Sequence, residues 1–436
     1  MIIDKILELF QKKFVKDSMF TGVAMFIRVL GAIMQNIILL KIVGVGELGV
    51  FVQAFTWYIL LSMISTIGLL RSVVKFISEY NEKPEIQSSI FTSGLLIIIP
   101  SALVFSALLY FASGLNIEYL STGMQPFLVV FAPSLFFQSL NHFFDSVLTG
   151  VRRMKMYSIN SVLRWVPRIV FLIIFSTLNL DLILYAKTIF ITEIVISFVS
   201  FSYLFFKLDL KFTKLDLIFW IKKQFVFSNK NFLASILNET GLRMDTLLIG
   251  FLQGDVVVGI YSFSAALGRG IELVTGVVKI NFEPIVSFLW STNQVEKLKT
   301  NLFQIRKFNT YILGFLTLAI ALMFPLVLWY SEVDQAYLVE HIAVFYLLLA
   351  SSAVVSYFSW SFSILTMSGD AMEFLKAKFF IFLFQVTLIF LAGYFLNIIW
   401  ISVAFICVSF FKVYIFDYFT FKNLKISLIN FNRSSE

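Results

Sequence analysis

The chain has 436 residues, 59% hydrophobic and only 14% charged, with 53 Phe and a net charge of +8. Its mean hydropathy of +0.90 excludes an ordinary soluble globular protein. One Cys and two His exclude a disulfide framework and a zinc site built on ligand spacing.

Apolar runs of roughly 20 residues, long enough to cross a bilayer, recur from end to end. They predict about twelve spans, near residues 19–43, 48–70, 89–112, 126–149, 158–178, 182–206, 230–252, 256–280, 308–330, 341–365, 377–396 and 399–420. Ahead of the first, Ile2, Ile3, Ile6, Leu9 and Phe10 share one face opposite lysines, which predicts a cytoplasmic interfacial helix over 1–18. No small-residue cleavage site follows the first apolar run, so the first span is expected to stay in the mature chain.

Within the first span, Arg28, Gly31 and Gln35 recur at helical spacing, with Asn36 beside them. Arg28 has no acidic neighbour on its own helix, which favours a place in a polar cleft. Gly44, Gly46 and Gly49 spell GxGxxG, but they join two apolar spans instead of a strand and a helix, so they predict a tight external turn. In the fourth span Asn141, Asp145 and Thr149 are spaced by four, and His142 can reach Asp145 on the same face. That pair reads first as a buried hydrogen bond and second as a proton relay. Arg164 and Arg168 enter the fifth span from the cytoplasmic side, where Arg164 is expected to snorkel and Arg168 is borderline. Lys41, Lys187 and Lys279 lie near span ends and read as anchors.

The seventh and eighth spans hold the densest charge. Glu239 precedes Arg243 by four, Asp245 follows, and Arg269 and Glu272 lie three apart deep in the eighth span. Ionisable groups at bilayer depth must face a partner or a hydrated cavity. Glu239 with Arg243, and Arg269 with Glu272, therefore read either as structural pairs or as groups lining a path for something polar.

The same region repeats the first half. Gly44, Gly49, Phe51 and Ala54 correspond to Gly254, Gly259, Tyr261 and Ser264 at a constant offset of 210 residues. Lysines and arginines alternate sides: Lys5, Lys12, Lys13, Lys16, Lys83, Arg152, Arg153, Lys155, the linker lysines, Lys297, Lys299, Arg306, Lys307, Lys422, Lys425 and Arg433 fall on one side. The segments 44–48, 113–125, 179–182, 253–257, 331–341 and 396–399 contain none. By the positive-inside rule both termini are cytoplasmic, which requires an even number of crossings. The basic excess is thus a topology signal, and no basic patch remains for nucleic acid. Six spans per half give a parallel repeat: an N-lobe over 19–206, a cytoplasmic linker over 207–223, a C-lobe over 224–421 and a cytoplasmic tail over 422–436.

The run Asp245, Leu247, Leu248, Ile249, Gly250, then Val258, Gly259, Ile260 and Tyr261, then Glu283, Pro284 and Ser287, resembles the polysaccharide transporter branch of the MATE-like (MOP) superfamily, the Wzx-type flippases. The turn GVGELGVFVQAF at 44–55 and the segment 150–157 resemble the corresponding turns of that family, and the likeness covers nearly the whole chain. It implies an all-α integral membrane protein with two six-helix lobes. It further implies alternating-access flipping of a polyprenyl-diphosphate-linked oligosaccharide to the outer leaflet of the cytoplasmic membrane, with membrane lipids and polysaccharide assembly proteins as surroundings.

On that reading Arg28, Arg243 and Arg269 meet the diphosphate, since a guanidinium stays charged and grips phosphate oxygens in pairs. Gln35, Asn36 and Asn141 are candidates for sugar hydroxyls, and Asp145, Glu239, Asp245 and Glu272 for Na+ or H+ coupling, with no organic cofactor. Twelve spans, where the lipid II flippases have fourteen, argue against that branch. A multidrug antiporter is the first alternative, opposed by arginines that would repel organic cations. A membrane-embedded polymerase or ligase is the second, opposed by the lack of a sizeable extramembrane region.

Overall fold

The computed structural model describes residues 2–80, 83–115, 122–178, 181–272, 275–276, 286, 289–290, 292, 294–359, 362, 364–367 and 371–424. Glu118, Lys279, Glu283, Pro284, Ser287, Lys425 and Arg433 of the sequence argument lie outside these. Among the described residues every regular element is helical, and nine helices are each long and apolar enough to cross a membrane. The chain is an all-α, multi-pass membrane protein.

The elements in order are α1 (Ile2–Ile64), α2 (Leu69–Glu79), α3 (Pro84–Ser113), α4 (Gln125–Gly150), α5 (Met154–Leu178), α6 (Leu182–Ser202) and α7 (Leu217–Gly241). They continue with α8 (Met244–Gln253), α9 (Asp255–Gly268), α10 (Val295–Tyr330), α11 (Leu338–Phe358), α12 (Ile364–Met367), α13 (Ala371–Phe395) and α14 (Ile398–Leu424). By contacts the chain forms two compact units, Met1–Ile38 with Gln53–Thr240, and Leu39–Val52 with Gly241–Glu436.

Several boundaries differ from those read off hydropathy. Helix α1 runs from residue 2 through both of the first two expected spans, and its one non-helical residue is Gly44. The predicted interfacial helix is thus continuous with the first span. The second span stops at Ile64, and Ile67 and Gly68 take positive φ (48° and 68°) before α2 starts. Leu69, Ser72, Val73, Phe76 and Ile77 form the buried stripe of α2, so this segment packs as an amphipathic helix. The seventh span is likewise divided, with α7 ending at Gly241 and α8 capped by Arg243. Helix α7 begins at Leu217, inside the expected linker. Helix α10, at 36 residues or about 54 Å, carries its basic first turns well before its apolar part.

In the first unit α3 lies on α4, α4 on α6 and α2, and α5 on α6. One core of this unit joins Val73 and Phe76 of α2, Phe91 and Leu95 of α3, Phe143 and Phe144 of α4 and Trp220 of α7. In the second unit α14 packs on α11 and α13, α11 on α9 and α13 on α8. Its core joins Leu298 and Leu302 of α10, Ile364 and Leu365 of α12, and Phe416 of α14. Burial of polar side chains is extensive in both units, because serines and threonines return their hydroxyls to carbonyls three or four residues back. Ser93 on Ser89, Ser139 on Leu135 and Ser402 on Ile398 are examples.

The repeat is visible in the backbone. Gly44 sits at φ 77°, ψ −179° and Gly254 at φ 86°, ψ −178°, a region open essentially to glycine alone. Beyond each turn the next glycine of the pattern makes a reciprocal contact within the second unit. A Cβ on Gly49 would lie 1.8 Å from the Asp255 carbonyl oxygen, and one on Gly259 would lie 2.0 Å from that of Val45. Val45 and Asp255 are themselves repeat mates, so the two turns cross with local twofold character, backbone against backbone. The GxGxxG pattern is therefore a requirement of helix crossing, of the kind small residues serve in membranes.

Alanine at Gly44 or Gly254 should cost about 1–3 kcal/mol each, and Gly49→Ala or Gly259→Ala should also destabilise by driving the turns apart. Gly314→Ala, with open space around its Cβ in α10, should be neutral or slightly stabilising. Thermal unfolding of the purified variants in one detergent measures all five. Equal effects at Gly44 and Gly314 would refute the conformational argument.

Candidate functional site

The intramembrane charges form two clusters, one in each unit. In the first, Glu193 of α6 is fully buried and receives three arginine hydrogen bonds. Arg164 Nε and Nη2 reach its Oε1 and Oε2 at 2.9 and 3.2 Å, and Arg168 Nη2 reaches Oε1 at 2.6 Å. Arg164 and Arg168 are four apart on α5, so one helical face presents both to one carboxylate. Asn141 completes the shell, donating to Glu193 Oε2 at 2.7 Å and to its carbonyl at 2.9 Å while accepting from Ser197 at 2.8 Å.

Asp145 lies one turn further along α4. It accepts from Asn160 at 2.7 Å and stands 3.9 Å from Arg164 Nη1, and Asn160 also donates to Ser200. Two arginines and two carboxylates thus balance, and nearly every polar atom has a partner, which is the condition for keeping charge out of water. Arg164 and Arg168 do not snorkel: their side chains are 12% and 3% exposed. They turn inward because a carboxylate on the neighbouring helix neutralises them. His142 points along its own helix to Gln138, 3.4 Å away, while Asp145 is taken by Asn160 and Arg164.

Arg28 stands at the edge of the first unit, exposed, its Nη2 donating to Tyr157 OH at 3.1 Å. Gly31, one turn on, lets the Trp165 ring approach to 2.4 Å of where a Cβ would be. Gln35 is buried and accepts from Tyr185 OH at 2.8 Å. Asn36 donates to Ala32 O at 2.9 Å, and its Oδ1 is buried with no partner among the described residues. The helical stripe 28–31–35 therefore runs from an exposed guanidinium to a buried amide. Glu239, on α7, lines a small cavity with Arg71, Thr66 and Phe232.

The second cluster centres on Asp245, fully buried in the first turn of α8. Its carboxylate accepts from Tyr261 OH, from Arg269 Nη2 at 2.5 Å and from the Thr246 amide at 2.8 Å. Arg269 Nη2 also donates to Tyr261 OH, and the guanidinium lies over the Tyr261 and Phe405 rings at 5.7 and 5.6 Å. Arg269, the C-cap of α9, thus pairs with Asp245, across a turn, whereas Glu272, three residues beyond, accepts from Ser352 Oγ at 2.9 Å. Arg243 caps α8, next to this cluster in sequence. Also in this unit Lys41 pairs with Glu332 at 2.9 Å and lies over the Tyr330 ring.

Sequence reading missed Glu193 altogether. The signal was present: it is the lone acid of its span, and the fifth span carries two arginines at i, i+4 that need a counter-charge. The second cluster has no charged counterpart in the first repeat. Gln35, Ile59 and Ser62 stand where Asp245, Arg269 and Glu272 stand 210 residues later. Among the described residues no group of three or more His, Cys, Asp and Glu side chains could hold a metal ion.

Known proteins share this architecture. An inward-facing multidrug resistance MATE family transporter of the MOP superfamily superposes with a TM-score of 0.73 at 14% identity, covering 94% of this chain and all of the other. A MATE protein in complex with MaL6 gives 0.69 at 15% identity over 94% of this chain and 96% of that one. The lipid II flippase MurJ, in an inward closed conformation, gives 0.69 at 16% identity over 93% and 87%. No curated protein matches the sequence significantly. At these identities the structures establish a MATE-like fold. The family is established by sequence: residues 14–276 match the polysaccharide biosynthesis proteins. The chain, multi-pass, MATE-like in fold and matched over more than half its length, belongs to the polysaccharide biosynthesis protein family.

Proposed function

We propose that the protein flips a polyprenyl-diphosphate-linked oligosaccharide across the cytoplasmic membrane, through twelve crossings with both termini inside. One observation carries the reading beyond the family. Arg269 is fixed on one nitrogen, Nη2, by Asp245 and Tyr261, while its side chain stays 33% exposed and Asp245 is wholly buried. Among the described residues Nε and Nη1 remain open to an anion. A guanidinium held from behind is pre-organised to take phosphate oxygens in pairs. Arg28, exposed and steadied by Tyr157, offers a second cation, and Arg243 a third.

On this reading the protein is a transporter and not an enzyme, and alternating access moves the headgroup. Sugar hydroxyls are assigned to Asn36, with its open Oδ1. Asn141 has a full shell and serves packing instead, and Gln35 gives its oxygen to Tyr185. Proton or Na+ coupling falls to Asp145, whose carboxylate is held by Asn160 and is more loosely tied to arginine than Glu193. Glu239, Asp245 and Glu272 are weaker candidates for that role. A multidrug antiporter is disfavoured, since three guanidiniums oppose an organic cation.

Reconstituted protein with fluorescent lipid-linked oligosaccharide tests the assignment. Arg28→Ala and Arg269→Lys should each slow flipping at least about tenfold with unchanged thermal stability, because the paired donor geometry is lost. Normal flipping by the double variant would remove phosphate recognition from these positions. Asp145→Asn should leave basal flipping but abolish its response to an imposed proton or Na+ gradient.

Glu193→Gln, by contrast, strands two buried guanidiniums and should cost about 3–5 kcal/mol in thermal unfolding. A loss below about 1 kcal/mol would mean that water reaches the cluster.

The crossing turns provide a test of motion. A disulfide between cysteines at Glu47 and Val257, on the two turns that pack together in the second unit, should stop transport when oxidised and release it when reduced. Unimpaired flipping in the oxidised state would exclude opening at this point.

A further inference from the structure

The first unit carries an apolar groove of about 430 Å³ between α3, α4 and α6. Its walls include Leu96 and Ile99 of α3, Leu140 and Phe144 of α4, and Phe198 of α6. The hydroxyls at its edge are already satisfied, Thr92 by the Ser88 carbonyl at 2.8 Å and Ser197 by Asn141 at 2.8 Å. Nothing in the groove would orient a sugar or a phosphate. From Thr92 to Ile99 it follows about 10 Å of helix, most of one leaflet's half of the roughly 30 Å hydrocarbon core. By the order of α3, α4 and α6 this is the cytoplasmic half.

The cytoplasmic end of the groove is closed by the strap 208–216 between α6 and α7. Hydroxyls of α3 fasten it: Lys211 N donates to Ser88 at 3.3 Å, Thr213 N to Thr92 at 3.2 Å, and Thr92 to Lys211 O at 3.4 Å. Phe212 inserts as the end wall, with its ring 6.4 Å from that of Phe91 and 6.2 Å from that of Phe201. Lys211 is therefore adjacent to the wall and Lys214 two residues past it, while Lys207 ends the π-helical turn (Tyr203–Lys207) that leads in. All three are exposed. Lys211 is paired with Asp209 at 3.0 Å, and among the described residues Lys207 and Lys214 have no carboxylate partner. Over 207–223 five lysines face two aspartates. Lysines at this depth serve topology in any membrane protein. Here the strap that carries Lys211 and Lys214 is fastened by side-chain hydrogen bonds at the walled end of an apolar slot.

We propose that this groove is a specific site for one anionic phospholipid of the cytoplasmic leaflet, an acyl chain lying between α3, α4 and α6 and the phosphate meeting Lys207, Lys211 and Lys214. Concave apolar volume and a basic rim are each unremarkable, but together they match both halves of one molecule. The site lies apart from the two charged clusters and does not depend on what is transported.

Native mass spectrometry of the purified full chain with equimolar phosphatidylglycerol and phosphatidylcholine tests it. A single phosphatidylglycerol should be retained about fivefold or more over phosphatidylcholine. Lys207→Gln, Lys211→Gln and Lys214→Gln together should bring the ratio near one, and Ile99→Trp, filling the slot, should remove the retained lipid. Leu96→Trp is the second slot-filling variant should Ile99→Trp fail to fold. Equal retention of both lipids by the natural chain would overturn the proposal, leaving only bulk lipid. So would a preference for phosphatidylglycerol that survives either folded tryptophan variant, or retention of a polyprenyl phosphate in preference to phosphatidylglycerol, which would give the groove to the substrate.

Discussion

Charge that is taken out of water must be neutralised where it lies, and the interior of this protein is arranged around that constraint. Transferring an ion from water into protein costs several kcal/mol even after relaxation, so a lone arginine would pull its helix toward the interface. Glu193 holds Arg164 and Arg168 within α5, and Asp245 holds Arg269 at the end of α9. The pairing helices are neighbours for this reason as well as for their apolar faces. Asn141 and Asn160, which meet the carboxylate oxygens left over by arginine, fix the rotation of α4 and α5 about their axes.

The two clusters solve the same problem with different results. Around Glu193 the shell is closed: two guanidiniums and an amide donate to its oxygens, and the carboxylate is wholly covered. Around Asp245 the shell is closed on the acid's side only. The phenol of Tyr261 and one guanidinium nitrogen complete the carboxylate, and the remainder of Arg269 projects from between two aromatic rings. A closed cluster stabilises a bundle; a half-closed one holds a cation ready for an anion. The asymmetry arose after duplication, since the first repeat has Gln35, Ile59 and Ser62 at the positions of Asp245, Arg269 and Glu272.

What could be read from the sequence was what one segment determines by itself. Apolar length located the helices, and the glycine pattern at an offset of 210 residues located both turns, because a φ near +80° is a demand on a single residue. The breaks at Ile67–Gly68 and at Leu242–Arg243 escaped, the first because hydropathy is nearly continuous across it and the second because its charges read as intramembrane groups within one long span. Site residues were legible as types but not as partners. Arg269 was read against Glu272 because both fall in one expected span, whereas the ion pair that forms goes to Asp245, 24 positions away. Glu193 was overlooked for the same reason: its partners lie on another helix, 25 and 29 positions back.

Glycine and arginine together explain why the second unit begins with residues borrowed from the first repeat. Leu39–Val52 sits with Gly241–Glu436 because Gly49 and Gly259 allow two backbones to approach at the distance of a van der Waals contact to a carbonyl. That crossing lies at the turn between α8 and α9, one helix end from Asp245 and a second from Arg269. Motion of the turns would therefore act directly on the helices that carry the half-closed cluster, with no intermediate side chains needed to relay it. Helix α1, continuous apart from Gly44, belongs to the first unit at Arg28 and to the second at Gly49. Gly44 lies within the second unit, so the conformation that only glycine adopts there serves the crossing itself.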